Sequence, residues 1–138
     1  MRDIKMILER WGGWAASDTS GVDYSHIAAG FKGLLPITSK TRSACTDDDA
    51  LIIESCLGRL KKRKPYEHSL LVAHYLYGVS KRKIAKICKK DEKIIRIEIQ
   101  MAEGFIEGCL SMLNVTLEMD AEVSIQNNQK SPGAVRIF

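Results

Sequence analysis

The sequence offers little that suits a membrane, a disulfide framework or a metal centre. Its apolar runs all fall short of the roughly 20 residues that a membrane-spanning helix needs, and its first residues lack the apolar stretch of a secretory signal. The cysteines are widely spaced with no C-x-x-C pair, so we expect reduced thiols and disfavour a zinc site assembled from remote residues. These absences predict a cytoplasmic protein without a metal or cofactor. The cysteines are Cys45, Cys56, Cys88 and Cys109.

Signatures of catalysis are also scarce. No Walker, dinucleotide-binding or metalloprotease motif is present. The acidic run at residues 47–49, together with His68, leaves open a small metal-dependent nuclease. Acids that precede an apolar helical pattern are better explained by capping, because they satisfy free N–H groups and the positive end of the helix dipole. We therefore expect a protein that is not an enzyme.

Positive charge is confined to one part of the chain. The formal net charge is only +4, yet residues 59–96 contain thirteen Lys and Arg against three Asp and Glu. The segments on either side are net acidic. A basic stripe on a nearly neutral protein is typical of a nucleic-acid-binding surface, although a solvated lysine-rich face is the alternative.

Hydrophobic periodicity predicts an all-α fold of five or six helices. The Gly12-Gly13 pair should weaken or end the first helix, and Ser25 should cap the second. We place a single helical domain at residues 1–114 and a flexible, partly disordered tail at 115–138. The predicted helices cover residues 3–16, 25–31, 47–64, 66–77, 81–87 and 91–113.

Residues 66–113 follow the order of a helix-turn-helix unit. A glycine separates two helices, and a short turn then leads into a longer helix capped by Asp91. A buried stripe from Ile95 to Ala102 leaves the outward face of that helix free to meet base edges in the major groove of double-stranded DNA. The predicted base-reading residues are Glu92, Lys93, Arg96, Ile97 and Gln100. The predicted phosphate contacts are Lys81, Arg82, Lys83, Lys89 and Lys90.

Longer motifs resemble known families. The arrangement from Tyr75-Leu-Tyr-Gly-Val-Ser80 to Ile106 resembles region 4 of bacterial sigma factors. A second resemblance spans residues 2 to about 119, and it is to the phage late-gene antitermination protein Q family, in its short branch without a zinc finger. Its motifs are Arg2-Asp-Ile4, Leu8-Glu-Arg-Trp-Gly-Gly-Trp14, Ile27-Ala-Ala-Gly-Phe-Lys-Gly-Leu34, Asp47-Asp-Asp-Ala50, Arg59-Leu-Lys-Lys62 and Ala102-Glu-Gly104.

This resemblance implies a non-enzymatic transcription antiterminator. Such proteins bind a DNA element at the phage late promoter and load onto paused RNA polymerase holoenzyme, which includes sigma. They then narrow the RNA-exit channel around the nascent RNA, so that pausing and terminator hairpins are suppressed. The resemblance leaves open whether a second copy of the chain binds the same DNA. The alternative is a helix-turn-helix activator or repressor without antitermination activity.

An antiterminator must hold polymerase after leaving its DNA site, so a second surface is expected. The helices at 3–16 and 47–64 are candidates to meet polymerase. The basic cluster at the end of the latter helix suits an acidic polymerase patch or the path of the RNA. Its alternative role is to complement the negative end of the helix dipole. The cluster consists of Arg59, Lys61, Lys62, Arg63 and Lys64.

Overall fold

The computed structural model describes residues 3–17, 20–31 and 42–120, and within these ranges the chain forms six α-helices and no strand. The all-α prediction is therefore confirmed. A π-helical segment, Val72–Leu76, continues directly from the fourth helix. The α-helices are α1 Ile4–Ala15, α2 Ser25–Gly30, α3 Asp47–Arg63, α4 Pro65–Leu71, α5 Lys81–Cys88 and α6 Glu92–Leu113.

Short polar side chains begin the longer helices. Ser80 and Asp91 occupy the N-cap positions of α5 and α6, as their sequence positions predict. The hydroxyl of Thr46 caps α3, so that the acids at 47–49 form its first turn. The helix predicted at 25–31 is present as α2, but its predicted N-cap was wrong: Tyr24 is the N-cap and makes no side-chain cap bond, while Ser25 is already helical.

Helix α1 has nearly the predicted range of 3–16 and does not end at its glycine pair, so the alternative in which the pair ends the helix was wrong. The helix runs through Gly12 and Gly13 to Ala15 because other parts of the chain approach its backbone there. A Cβ on Gly12 would lie 2.0 Å from the carbonyl oxygen of Tyr75, and one on Gly13 would lie 2.0 Å from that of Ser43. The two glycines therefore permit close packing rather than a helix break.

The π-helical segment ends against an arginine from a distant loop. Arg42 donates to the carbonyl oxygens of Leu76 at 2.9 Å and Tyr75 at 2.6 Å, which satisfies acceptors at a helix end. Burial lowers the pKa of the Arg42 guanidinium from its usual value. Gly78 then adopts a left-handed conformation with φ of 69°, and the chain turns into α5.

Buried polar groups tie the core helices together. The carboxylate of Glu54 on α3 accepts from the indole of Trp11 at 2.7 Å and from the hydroxyl of Tyr24 at 3.0 Å. On α6, Glu103 accepts from the Tyr75 hydroxyl within the core. Each pairing satisfies groups that would be costly to bury alone.

The chain beyond α6 packs against the start of α3. The carboxylate of buried Asp49 accepts from the backbone amides of Glu118 at 2.7 Å and Met119 at 3.0 Å. Leu117 and Met119 are buried in the same region. Residues 115–120 of the predicted tail thus lie on the core, and residues 121–138 fall outside the described residues. None of the described helices is both long enough and apolar enough to cross a membrane.

Candidate nucleic-acid interface

The turn between α5 and α6 is set by the backbone and by one side-chain cap. Lys89 ends α5 in the left-handed region, with φ 56° and ψ 46°. The amide of Lys90 donates to the carbonyl of Ala85 at 3.0 Å, and the carboxylate of Asp91 accepts from the amide of Lys93 at 2.8 Å. This arrangement of a short helix, a tight turn and a longer capped helix has the predicted order of a helix-turn-helix unit.

One face of this unit belongs to the core. Ile84 and Ala85 of α5 are buried, and Ile95, Ile99 and Ala102 form the buried stripe of α6. The small side chain of Ala85 allows α5 to lie close to its neighbours. Over residues 92–102 the predicted inward and outward faces of α6 are therefore those of the structure.

The outward face of α6 presents the predicted base-reading set to solvent. Lys93, Arg96, Ile97 and Gln100 are exposed, and Glu92 is half-buried. Guanidinium, amide and aliphatic groups of this kind match guanine edges, adenine edges and the thymine methyl group. Lys86 of α5 and Ile94 of α6 are also exposed, and neither was predicted to bind DNA.

Arg96 is held by an ion pair within its own helix. Its guanidinium lies 2.5 Å (Nη2) and 3.1 Å (Nε) from Oε2 of Glu92, one helical turn earlier. Both side chains retain solvent exposure, so the pair contributes little stability. A phosphate or a guanine edge can therefore compete with Glu92 for the same guanidinium.

Lys90 lies at the surface but is bonded to other side chains of the protein. Its ammonium lies 2.8 Å from Oε2 of Glu98 and 4.4 Å from the ring centre of Tyr66, whose hydroxyl donates to Oε1 of Glu98 at 2.8 Å. Burial opposes ionisation of Glu98, but the hydrogen bonds from Lys90 and Tyr66 outweigh it and lower the pKa of the carboxyl. Burial and the Glu98 contact raise the pKa of Tyr66 to about 12. The trio links α4 to the turn and to α6.

The remaining predicted phosphate contacts surround the start and end of α5. Lys81 is half-exposed, whereas Arg82, Lys83 and Lys89 are exposed. Three cations in the first turn of a helix oppose its dipole, so helix stability does not explain their presence at 81–83. A phosphate backbone lying across this helix end would explain it.

The second basic cluster has the opposite relation to its helix. Arg59, Lys61, Lys62 and Arg63 are exposed in the last turns of α3, and Lys64 follows as its C-cap. Cations at this helix end are favoured by the dipole, so their presence alone does not require a partner. The residues of the cluster differ in what they line. Arg59, Lys62 and Arg63 line a groove between α3 and α6, and Lys64 lines a smaller pocket at the same seam.

The acidic run at the start of α3 has structural partners. Asp47 accepts from the indole of Trp14 at 2.8 Å, and Asp49 holds the segment after α6. Burial lowers the pKa of His68 to about 4, so its imidazole is neutral. Residues 3–17, 20–31 and 42–120 contain no cluster of His, Cys, Asp and Glu that would hold a metal ion. The acids therefore have structural roles. The cap of α3 is Thr46, however, so the prediction that the acids satisfy the free N–H groups of the helix was wrong. Only their position in its first turn, where the dipole favours them, is as expected.

Comparison with known proteins identifies the family. The family model described as "Phage antitermination protein Q" matches residues 1–118. The chain belongs to this family. Its members are transcription antitermination factors and do not constitute an enzyme class. The resemblance drawn from the sequence motifs is therefore confirmed.

Curated relatives align with this chain over most of their length. The chain is 51% identical over 131 residues to the "Probable antitermination protein Q" of Acyrthosiphon pisum secondary endosymbiont phage 1, covering 94% of this chain and 88% of the relative. It is 49% identical to the "Prophage antitermination protein Q homolog QuuD" of Escherichia coli (strain K12), over 92% of this chain and 100% of the relative. The "Antitermination protein Q" of Escherichia phage 933W is 46% identical, over 89% and 85%.

A solved structure shares the fold. The "Transcription antitermination factor Q21" superimposes with a TM-score of 0.59, covering 96% of this chain and 93% of that chain. The two sequences are only 19% identical, so this likeness concerns the fold alone.

Proposed function

We propose that this chain is a phage late-gene antiterminator that binds a DNA element at the late promoter through α5 and α6. It then loads onto RNA polymerase holoenzyme, including sigma, at a promoter-proximal pause in the cytoplasm of the host bacterium. By narrowing the RNA-exit channel around the nascent RNA, it leaves no space for a terminator hairpin and shortens pauses. Family membership supports the antitermination role, and the surface of the helix-turn-helix unit supports the DNA-binding role.

The observation that carries the DNA-binding step is the placement of charge on α5. The first turn of α5 holds Lys81, Arg82 and Lys83, where cations weaken rather than strengthen a helix. Next to it, α6 presents Arg96 and Gln100 on a face that the core does not use. Backbone neutralisation by the first group and base recognition by the second are the two components of specific DNA binding.

In vitro transcription tests the proposal. A template carrying the cognate late promoter and a downstream terminator is transcribed by host polymerase holoenzyme with and without the protein. We expect terminator read-through and a shortened promoter-proximal pause only when the protein and the DNA element are both present. If the protein changes the rate of initiation but gives no read-through at the distant terminator, it is instead a plain helix-turn-helix activator or repressor, which is the alternative.

A further inference from the structure

A groove runs along the seam between α3 and α6. Its main part has a volume of about 780 Å³ and is lined by Arg59, Lys62 and Arg63 of α3 together with Phe105 and Cys109 of α6. Phe105 also lines a smaller pocket of about 190 Å³ further along the same seam. The two spaces therefore meet at this half-buried ring.

The two walls of the groove differ in chemistry. The α3 wall is cationic, while apolar side chains continue along the same side of α6 at helical spacing, from Met101 through Phe105 and Cys109 to Met112. Met101 is 58% exposed and Met112 is 86% exposed. Gly58 forms part of the α3 side, and apart from its chain neighbours and the adjacent backbone of its own helix, no described atom lies within 4 Å of where its Cβ would be. The groove is thus open, apolar along α6 and positively charged along α3.

The contrast between a cationic wall and an apolar wall indicates which kind of ligand fits the groove. A single strand of nucleic acid stacks successive bases on aromatic rings, and among the described residues that line the two spaces Phe105 is the one aromatic side chain. An amphipathic peptide segment presents apolar side chains on one face and carboxylates on the other, which matches both walls at once. Among the described residues that line the two spaces, Glu67 is the one acid, and it lines the smaller pocket and not the main part.

We propose that the α3–α6 groove docks an acidic amphipathic segment of a protein subunit in the transcription complex. An apolar anchor of that segment packs against Phe105 and Cys109, and its carboxylates pair with Arg59, Lys62 and Arg63. This proposal rests on the proposed function for the identity of the complex. Phe105 lies nine residues after Arg96, roughly 14 Å along α6 at about 1.5 Å per residue, so one helix can serve DNA at its start and a protein near its end.

Neighbouring lysines provide a matched pair of variants. Lys62 lines the groove and Lys61 does not, although both are exposed on the same turn of α3. Lys62→Glu should lower terminator read-through at least about tenfold, the size of effect expected at the centre of an interface, with DNA binding unchanged in a mobility-shift assay. Lys61→Glu makes the same change in net charge outside the groove and should lower read-through less. An equal loss in the two variants would overturn the groove as the docking site.

A second pair fills the groove without altering charge. Gly58→Trp places a large ring in the open space above α3 and should also abolish read-through. Ser111→Trp adds the same ring at an exposed position of α6 that does not line the groove, and should be neutral. Circular dichroism checks that all four variants fold. Full read-through by both Lys62→Glu and Gly58→Trp would overturn the proposal.

Photo-crosslinking identifies the occupant. Phe105 is replaced by p-benzoylphenylalanine, and the protein is irradiated in a paused complex of host polymerase holoenzyme on the late-promoter template. A crosslink to an acidic, amphipathic stretch of a polymerase or sigma polypeptide is the expected result. A crosslink to RNA, to DNA or to a second copy of this chain would overturn it, as would no crosslink in a complex that reads through. Failure of the unsubstituted protein to bind the promoter DNA or to support read-through would reject the proposed function itself, a distinguishable outcome.

Discussion

At the scale of single residues, Arg96 is the outward-facing group whose chemistry says most about DNA recognition. Its ion pair with Glu92 is exposed and weak, so the guanidinium remains available to a guanine edge. Arg96→Ala should cost roughly 1–3 kcal/mol of specific binding energy, measured by titrating the cognate element in a mobility-shift assay. Circular dichroism should show an intact fold, and an unchanged affinity would mean that this face of α6 does not read bases.

Two glycines give opposite predictions for the same substitution. Gly12→Ala should destabilise the protein by about 1–3 kcal/mol or more, because the new methyl group meets the Tyr75 carbonyl and neither backbone can easily move. Gly58→Ala should be neutral or stabilising by up to about 1 kcal/mol, because its surroundings are open and alanine favours a helix. Urea unfolding measures both. Equal effects at the two positions would contradict the close packing of α1.

At the scale of elements, the basic residues of α5 and of the turn after it are of two kinds: exposed side chains that we propose contact DNA, and Lys90, which bonds to Glu98 within the protein. Replacing Lys81 and Lys89 with Ala should weaken binding to all sequences alike and flatten the salt dependence by about one unit of slope per lost phosphate contact. Lys90→Ala is the internal control. Its ammonium is already paired with Glu98, so we expect a smaller change in slope. A slope that stays constant in the Lys81/Lys89 variant would assign those lysines to solvation.

Elements also show where local sequence signals succeed and fail. The caps Ser80 and Asp91 and the buried stripe of α6 were predictable, since each depends on residues within one or two turns. The continuation of α1 through Gly12 was not, because its cause is a carbonyl more than sixty residues away. The bonding of Lys90 was likewise missed, since Tyr66 lies on another helix and has no periodic relation to it.

At the scale of the whole molecule, acid should weaken the fold through His68. Its pKa is lowered from 6.5 to about 4, first by burial and then by Lys61 and His26. Between pH 6.5 and 4 the imidazole is protonated in the unfolded chain but still neutral in the folded protein. His68 therefore costs no stability above pH 6.5, and the free energy of unfolding decreases as the pH falls from 6.5 towards 4. The loss through this group is on the order of 3 kcal/mol.

Urea unfolding at several pH values tests this linkage. His68→Gln keeps a polar side chain but cannot titrate, so its stability should fall less steeply between pH 6.5 and 4 than that of the unsubstituted protein. Parallel pH profiles for the two proteins would show that His68 does not control acid stability.

The sequence by itself determined the helical class, the helix ends at Ser80 and Asp91, the inward face of α6 and the concentration of positive charge between residues 59 and 96. Each of these depends on neighbours along the chain, because hydrogen bonds and side-chain contacts in helices repeat every three or four residues. Only the tertiary structure decided that Lys90 is bonded to Glu98, that Asp49 holds the segment after α6, and that Lys62 lines a groove while Lys61 does not. Each of these contacts joins segments that are remote in sequence. A local sequence pattern contains no information about which remote residue will pack against it.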